Sequence, residues 1–326
     1  MPKRILYAIC FALLINSFSA VKSFAQRDTI ELCNSPAYYA ITMQKDRQVA
    51  EKIMKALQPY IGQKSKGELM VMAAKMLLGT PYVASTLEEG EEEDVRIYLT
   101  KTDCILFVES CMNLVLTVEQ YGSSADFEKF AQAIRQSRYR NGVVENYSDR
   151  IHYTTEWIRQ GEKRGIVEDL TISIGGVEYN HPIYFMSKNP NLYKQLKDAQ
   201  LERADCCGED KSEQPQERSL LNRATKDYLK IAQVEKELNS RPFSYIPASK
   251  IASCQKQIKD GDIICFMATT EGLDIAHVAM AYWQGGKLGF IHASMAEKKV
   301  VIDKLSIGDY VAARKNVNGI KVVRVK

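Results

Sequence analysis

The stretch Ala276-His277-Val278-Ala279-Met280-Ala281-Tyr282-Trp283, then Gln284-Gly285-Gly286-Lys287, then Leu288-Gly289-Phe290-Ile291-His292, decides the fold. Two short apolar runs rich in β-formers flank a Gly-Gly pair, which is the pattern of an antiparallel hairpin. Working outward, Asp262 to Met267, Val300 to Ile302 and Ile320 to Val325 read as further short strands. Upstream the period changes from two to 3.6. Asp46 to Leu57 carries Val49, Ile53, Met54 and Leu57 at helical spacing. Ser65 to Leu78 opens with Ser65 and Glu68 in a capping box and stops at Gly79. Cys104 to Tyr121 is apolar and helix-length, with Phe107, Val108, Cys111, Leu114 and Val115 on one side, and reads as a buried central helix. Phe127 to Arg135 and Asp227 to Leu238 read as two more helices. Helices first and an antiparallel sheet later define an α+β domain. Leu170 to Glu178 is expected to form a strand pair turning at Gly175-Gly176, residues 202–224 an irregular surface connection, and the acidic run Glu88 to Asp94 a solvated loop.

The chain begins Met1-Pro2-Lys3-Arg4, continues apolar from Ile5 to Ile15, and reaches Ser23-Phe24-Ala25. This is the pattern of a secretory signal peptide cleaved after Ala25, and the apolar run is too short to span a bilayer comfortably. Cleavage would remove Lys3, Arg4 and Lys22, taking Lys+Arg from 44 to 41 against 40 acids and the net charge from +4 to +1. A nearly neutral chain argues against a nucleic-acid partner, and no membrane contact is expected once the signal is gone. A periplasmic location follows. Seven cysteines would remain, an odd number, so at least one thiol is free or paired between chains. No Cys-x-x-Cys pair and no Cys/His cluster with zinc spacing occurs, so neither metal nor cofactor is expected. The domain layout expected is residues 1–25 as signal, 26–66 as a lead and helix, and 67–326 as the main domain with an insertion at about 122–248.

Thr102-Asp103-Cys104-Ile105-Leu106-Phe107-Val108-Glu109 places a cysteine at the start of the central helix. Helix N-termini favour thiolate over thiol, so Cys104 is a candidate nucleophile, with Thr102 able to cap the helix and Asp103 in its first turn. His277 starts one strand of the opening hairpin and His292 ends the other. Side chains facing each other on adjacent strands lie about 5 Å apart, so His292 can bond the far nitrogen of His277 and fix its tautomer. Thiol, base and orienting group make the triad pattern with histidine in place of a carboxylate.

Five motifs in order carry a resemblance: Gly79-Thr80-Pro81-Tyr82, Asp103-Cys104, Gly261-Asp262-Ile263-Ile264-Cys265-Phe266, His277-Val278 and Ile291-His292-Ala293-Ser294. The chain resembles the NlpC-type cell-wall cysteine peptidases, which implies a papain-like core carrying a large insertion. Gly79 to Ala84, Asp103 to Glu109, Ile151-His152-Tyr153-Thr154-Thr155-Glu156-Trp157-Ile158 and Tyr245-Ile246-Pro247 resemble their N-acetylmuramoyl-L-alanine amidase-like branch. That resemblance implies cleavage of the amide between N-acetylmuramic acid, in some substrates the 1,6-anhydro form, and L-Ala, with peptidoglycan fragments as partners. By it Cys104 is the nucleophile, His277 the base and His292 its orienter. Tyr82 helps hold the oxyanion, and Asp103 matches an acid that binds a free peptide amine in related endopeptidases.

The chain departs from the pattern at Ile105-Leu106, where Ser-Gly is usual, and at Ala279 after His-Val. The insertion is expected to build the sugar-side wall of the site, with His152, Tyr153 and Trp157 as the aromatic candidates. His181, before Pro182, is read as structural. Alternatives to the amidase are an endopeptidase cutting γ-D-Glu from a diamino acid, with Asp103 holding the free amine, and a muropeptide-binding module without catalysis. A thiol-redox protein using Cys206-Cys207 lacks a redox motif.

Overall fold

The computed structural model describes residues 37–90, 92–197, 199 and 215–326, with side chains from Gln44 and, in the last segment, from Arg223. The expected signal peptide, Cys33 and Cys206-Cys207 lie outside the described residues. Asp46–Lys326 makes one compact unit. Among the described residues no helix is long and apolar enough to cross a membrane.

The helical layer holds α1 (Ala37–Leu57), α2 (Lys66–Met76), α3 (Cys104–Tyr121) and α4 (Phe127–Arg138). The capping box of α2 forms as expected, Ser65 accepting from the Glu68 N–H and Glu68 returning to the Ser65 N–H. Helix α3 starts and ends where its apolar pattern does, but its cap differs from the expectation. Asp103, not Thr102, is the N-cap, its carboxylate accepting the Leu106 N–H at 2.9 Å. The Thr102 hydroxyl instead donates to the Asp103 carbonyl. The carboxylate wins because it adds favourable charge at the positive helix end.

After α4 the chain forms α5 (Thr154–Lys163), β1 (Val167–Asp169), β2 (Val177–Tyr179) and α6 (Pro215–Leu238), all within the segment expected as an insertion. The sheet is completed by β3 (Phe243–Pro247), β4 (Ile263–Ala268), β5 (Ile275–Gln284), β6 (Lys287–Ser294), β7 (Lys299–Ile302) and β8 (Val317–Val325), with α7 (Ile307–Ala312) between the last two. The strand order is β2-β3-β8-β4-β5-β6-β7, with β1 also on β8 and every pairing antiparallel. The Gly285-Gly286 hairpin closes β5 on β6, pairing Gln284 with Lys287.

Two expectations fail in the insertion. Residues 170–178 are not a hairpin. The chain turns through 170–176, and the two short strands pair with distant partners, β1 with β8 and β2 with β3. Residues 215–224, expected to be irregular, begin a helix that runs to Leu238.

Both faces of the sheet are covered, which is why β4 is buried at every residue. On one face Ile264, Phe266, Ala279, Phe290, Ile320 and Val322 join Ile307 and Tyr310 of α7 in one apolar cluster. The alternate residues Ile263, Cys265, Val278, Met280 and Ile291, also buried, belong to the face that α3 covers. Helix α2 can approach the turn into β4 because two glycines meet there. A Cβ at Gly67 would lie 2.1 Å from the Asp260 carbonyl oxygen, and one at Gly261 would lie 2.2 Å from the Gly67 Cα.

Candidate active site

Three elements converge on a cavity of about 550 Å³. The start of α3 brings Asp103 and Cys104, the start of β5 brings His277 and Val278, and the insertion brings Arg150 to Thr154, Trp157 and Leu192 to Lys194. A β-bulge prepares the second of these. The β4–β5 ladder pairs Phe266 with His277 but Met267 with Ile275, so Ala276 is the extra residue. Such a bulge bends the strand and re-aims the neighbouring side chain.

Cys104 is half-buried, and its sulfur receives the Val278 backbone N–H. Burial pushes its thiol up to about 12, and the Asp103 carboxylate adds to that; the N–H groups at the helix start offset only part of it. The thiolate expected from the helix dipole is therefore not the resting form. Desolvation outweighs the half-charge of a helix terminus.

His277 Nε2 lies 2.7 Å from His292 Nδ1, with ring centroids 4.9 Å apart and planes at 83°. The expected contact thus exists, though the two residues are diagonal. The ladder pairs Met280 with Ile291, and counting on from that pair puts Ala279 opposite His292. Phe266 stacks on His277, Phe290 meets His292 edge-on, and the Tyr310 ring lies near both. This apolar box depresses both imidazoles by desolvation, His277 to about 3 and His292 to about 4, aided at His277 by His292 and at both by Arg314. Thiol and imidazole are thus both neutral across the physiological range.

A stability prediction follows. The unfolded imidazoles take up protons near 6.5, the folded ones only near 3 and 4. The folded state's advantage is complete above about pH 6.5 and is lost as pH falls toward 4. Urea midpoints should therefore drop more between pH 7 and pH 5 in the native protein than in His277→Asn. An equal or smaller drop in the native protein would contradict the depressed imidazole.

Tyr82 is fixed from both sides, its N–H on the Lys298 carbonyl at 2.9 Å and its bridge partner Thr102. Burial, with the nearby Asp103 carboxylate and the Cys104 thiol adding to it, pushes its phenol up to about 12, so it stays a donor. Asp103 lines the cavity and is raised by burial, with one oxygen engaged by the helix cap.

The three aromatic candidates from the insertion all line the cavity, but to different degrees. His152 Nε2 meets the Tyr147 carbonyl at 2.9 Å, and burial and Arg150 hold the ring well below its ordinary pKa. Tyr153 is 3% exposed, its hydroxyl donating to Glu235 at 2.6 Å and accepting the Met186 N–H at 2.9 Å. Trp157 is 6% exposed. Leu192, 68% exposed, and Lys194 complete that wall, and neither stood out in the sequence. His181 is buried with Nε2 against the Leu273 carbonyl and stacks on Tyr179, in keeping with a structural role.

The acidic run is exposed at Glu89, Glu92 and Asp94, as a solvated loop would be, but is tied down at Glu88 and Glu93. Glu88 and Glu93 pair with Arg150, Glu93 accepts from the Tyr139 hydroxyl, and Glu89 pairs with Lys101. Its start, with Ser85, Leu87 and Glu88, forms part of the cavity wall. Under the floor, Glu109 and Arg138 form a buried pair at 2.6 Å, with Ser137 and Asn113 completing the network. Asp274, three residues before His277, accepts the Thr155 N–H at 2.7 Å and so fastens the start of α5 to β5. Among the described residues no group of three or more His, Cys, Asp or Glu could hold a metal ion. The free cysteines among them are Cys104, Cys111, Cys254 and Cys265.

A half-buried thiol at a helix start, Cys104, and one member of a bonded histidine pair on an antiparallel sheet, His277, line the same cavity of an α+β protein. The chain belongs to the AmiA-like family, described as N-acetylmuramoyl-L-alanine amidase-like, whose model matches residues 72–320. An N-acetylmuramoyl-L-alanine amidase structure from Bacteroides uniformis is 30% identical and superposes with a TM-score of 0.68 over 80% of this chain and 99% of that one. A Bacteroides fragilis structure described as a candidate xylanase is also 30% identical, with a TM-score of 0.65 over 77% and 98%. A Legionella pneumophila protein of the family DUF1460, 21% identical, shares the fold with a TM-score of 0.62 over 88% and 96%. No curated protein matches the chain significantly.

Proposed function

We propose that this protein is a peptidoglycan amidase of the NlpC type, with a papain-like core. It cleaves the amide between N-acetylmuramic acid, or its 1,6-anhydro form, and L-Ala in muropeptides, using Cys104, His277 and His292. The observation that carries the reading is the 2.7 Å bond between His277 Nε2 and His292 Nδ1. That bond occupies Nε2, so in this reading Nδ1 is the ring nitrogen of His277 that serves the thiol.

The neutral resting pair sets the order of events. Cys104 attacks the lactyl carbonyl as its S–H proton passes to His277, the general-base route for a nucleophile that is not ionised beforehand. In this reading peptide N–H groups at the start of α3, with the Tyr82 hydroxyl, receive the oxyanion. As the C–N bond breaks, the proton moves from His277 to the L-Ala nitrogen. Water then attacks the thioester, giving its proton to His277, and the lactyl carboxylic acid leaves while the thiol is restored.

His152, Tyr153 and Trp157 back the insertion's wall, which is the sugar side in this reading; Tyr153, with its hydroxyl doubly engaged, supports that wall. The 67–326 segment is then the catalytic domain, with about 122–248 as its insertion, and residues 1–25 direct the chain to the periplasm. The endopeptidase alternative needs Asp103 for a free amine, but one of its oxygens is held by the helix cap.

Mass spectrometry of products from disaccharide, anhydro-disaccharide and sugar-free peptides tests the reaction. Free sugar plus intact stem peptide is expected. Release of an L-Ala-D-Glu dipeptide would favour the endopeptidase, and unchanged substrates a binding module.

A further inference from the structure

We infer that Asp303 is a positioning residue for the histidine pair, selecting the tautomers that leave His277 Nδ1 free as a base. The inference rests on the proposed Cys104–His277–His292 reading. Asp303 follows β7, one strand beyond His292, whose ladder partner is Val301. Its N–H donates to the Phe290 carbonyl at 3.0 Å, and its Oδ1 accepts the Leu305 N–H at 2.8 Å. These two bonds fix the carboxylate with Oδ2 3.1 Å from His292 Nε2. That nitrogen is buried and has no other polar partner; the contact is off the hydrogen-bond axis in this conformation, and catalytic hydrogen bonds often tighten only with substrate bound.

The tautomers follow in order. A carboxylate facing His292 Nε2 favours a proton there. His292 Nδ1 is then an acceptor, so the 2.7 Å contact must be donated by His277 Nε2. His277 Nδ1 is left unprotonated, as a base must be. Without the anion the chain of bonds can run the other way, with His277 Nε2 accepting and Nδ1 protonated, which is useless to a thiol. The ionisable groups ranged round the pair are Arg314, whose guanidinium lies 3.6 Å over the Tyr310 ring, the Tyr310 phenol, the Cys104 thiol and Asp303. Arg314 disfavours an imidazolium at either ring, and Asp303 favours one at His277.

The chain has four histidines, so ¹⁵N-histidine labelling gives few signals to assign. Long-range ¹H–¹⁵N spectra of the native protein should show both His277 and His292 protonated at Nε2. In Asp303→Ala the His292 signal should move toward a tautomer mixture, with kcat down about 10- to 100-fold and KM little changed. Asp303→Asn keeps a carbonyl acceptor and should retain the tautomers with a smaller loss of kcat. A native His292 protonated at Nδ1, or tautomers unchanged in Asp303→Ala, would overturn the inference. The native spectrum decides even if a variant does not fold. Because it needs no turnover, it is also separate from the test of Cys104 as nucleophile.

Discussion

Cys104→Ala is expected to lower kcat/KM by at least about 10⁴-fold while leaving the melting temperature within a few degrees of native. The loss is large because in the proposed mechanism the thiol provides the covalent step, and no second cysteine lines the cavity. Cys111 and Cys265 are fully buried, and burial holds both thiols up as well. The stability cost is small because Cys104 is half-buried and its helix is capped by Asp103. His277→Ala should lose nearly as much, because a thiol raised to about 12 is almost wholly protonated at neutral pH without a base to take its proton. Cys104→Ala activity within tenfold of native would remove the cysteine from the mechanism.

The second large effect is on stability. Arg138→Ala should destabilise the protein by about 3–5 kcal/mol, because it leaves the Glu109 carboxylate charged, buried and unpaired. The pair is 5% and 3% exposed, and Arg138 also donates to the Arg96 carbonyl at 2.5 Å. For a domain of this size that corresponds to a fall in melting temperature of roughly 6–15 °C. The double variant Arg138→Met with Glu109→Leu should recover much of the loss, since removing both charges removes the desolvation cost as well. A single-variant cost under about 1 kcal/mol would mean that water already reaches Glu109 through the cavity.

The parts of the fold legible in the sequence were those set by local pattern. The apolar period from Cys104 to Tyr121, the Ser65 capping box and the Gly285-Gly286 hairpin each signal within a few residues, and each formed. The sheet strands near the site were read to within a few residues for the same reason. What failed was settled by distant partners. Strands β1 and β2 have three residues each, too few to show a period, and their pairing with β8 and β3 is invisible locally. Gly175-Gly176 therefore mimicked a hairpin. Glu93 looked solvated because Arg150, its partner, is far along the chain.

The same division holds at the site. His277 and His292 lie on consecutive strands, so their contact could be anticipated, while the bulge at Ala276 that aims His277 could not. The helix start at Cys104 was legible, but not the extent of its burial, and burial decides that the thiol is neutral. Asp303 left one usable signal, a carboxylate just after the strand that pairs with β6. Asp274, which ties the start of α5 to the strand that carries His277, left none.

Intact-protein mass spectrometry on enzyme quenched in acid during turnover of a disaccharide-peptide tests the central claim most directly. The account predicts an adduct with the mass of the muramyl acyl group, mapping to Cys104 and labile to hydroxylamine as a thioester is. It should be absent in Cys104→Ala and carry no stem peptide. Steady release of sugar and peptide with no adduct at any quench time, and turnover persisting in Cys104→Ala, would contradict it.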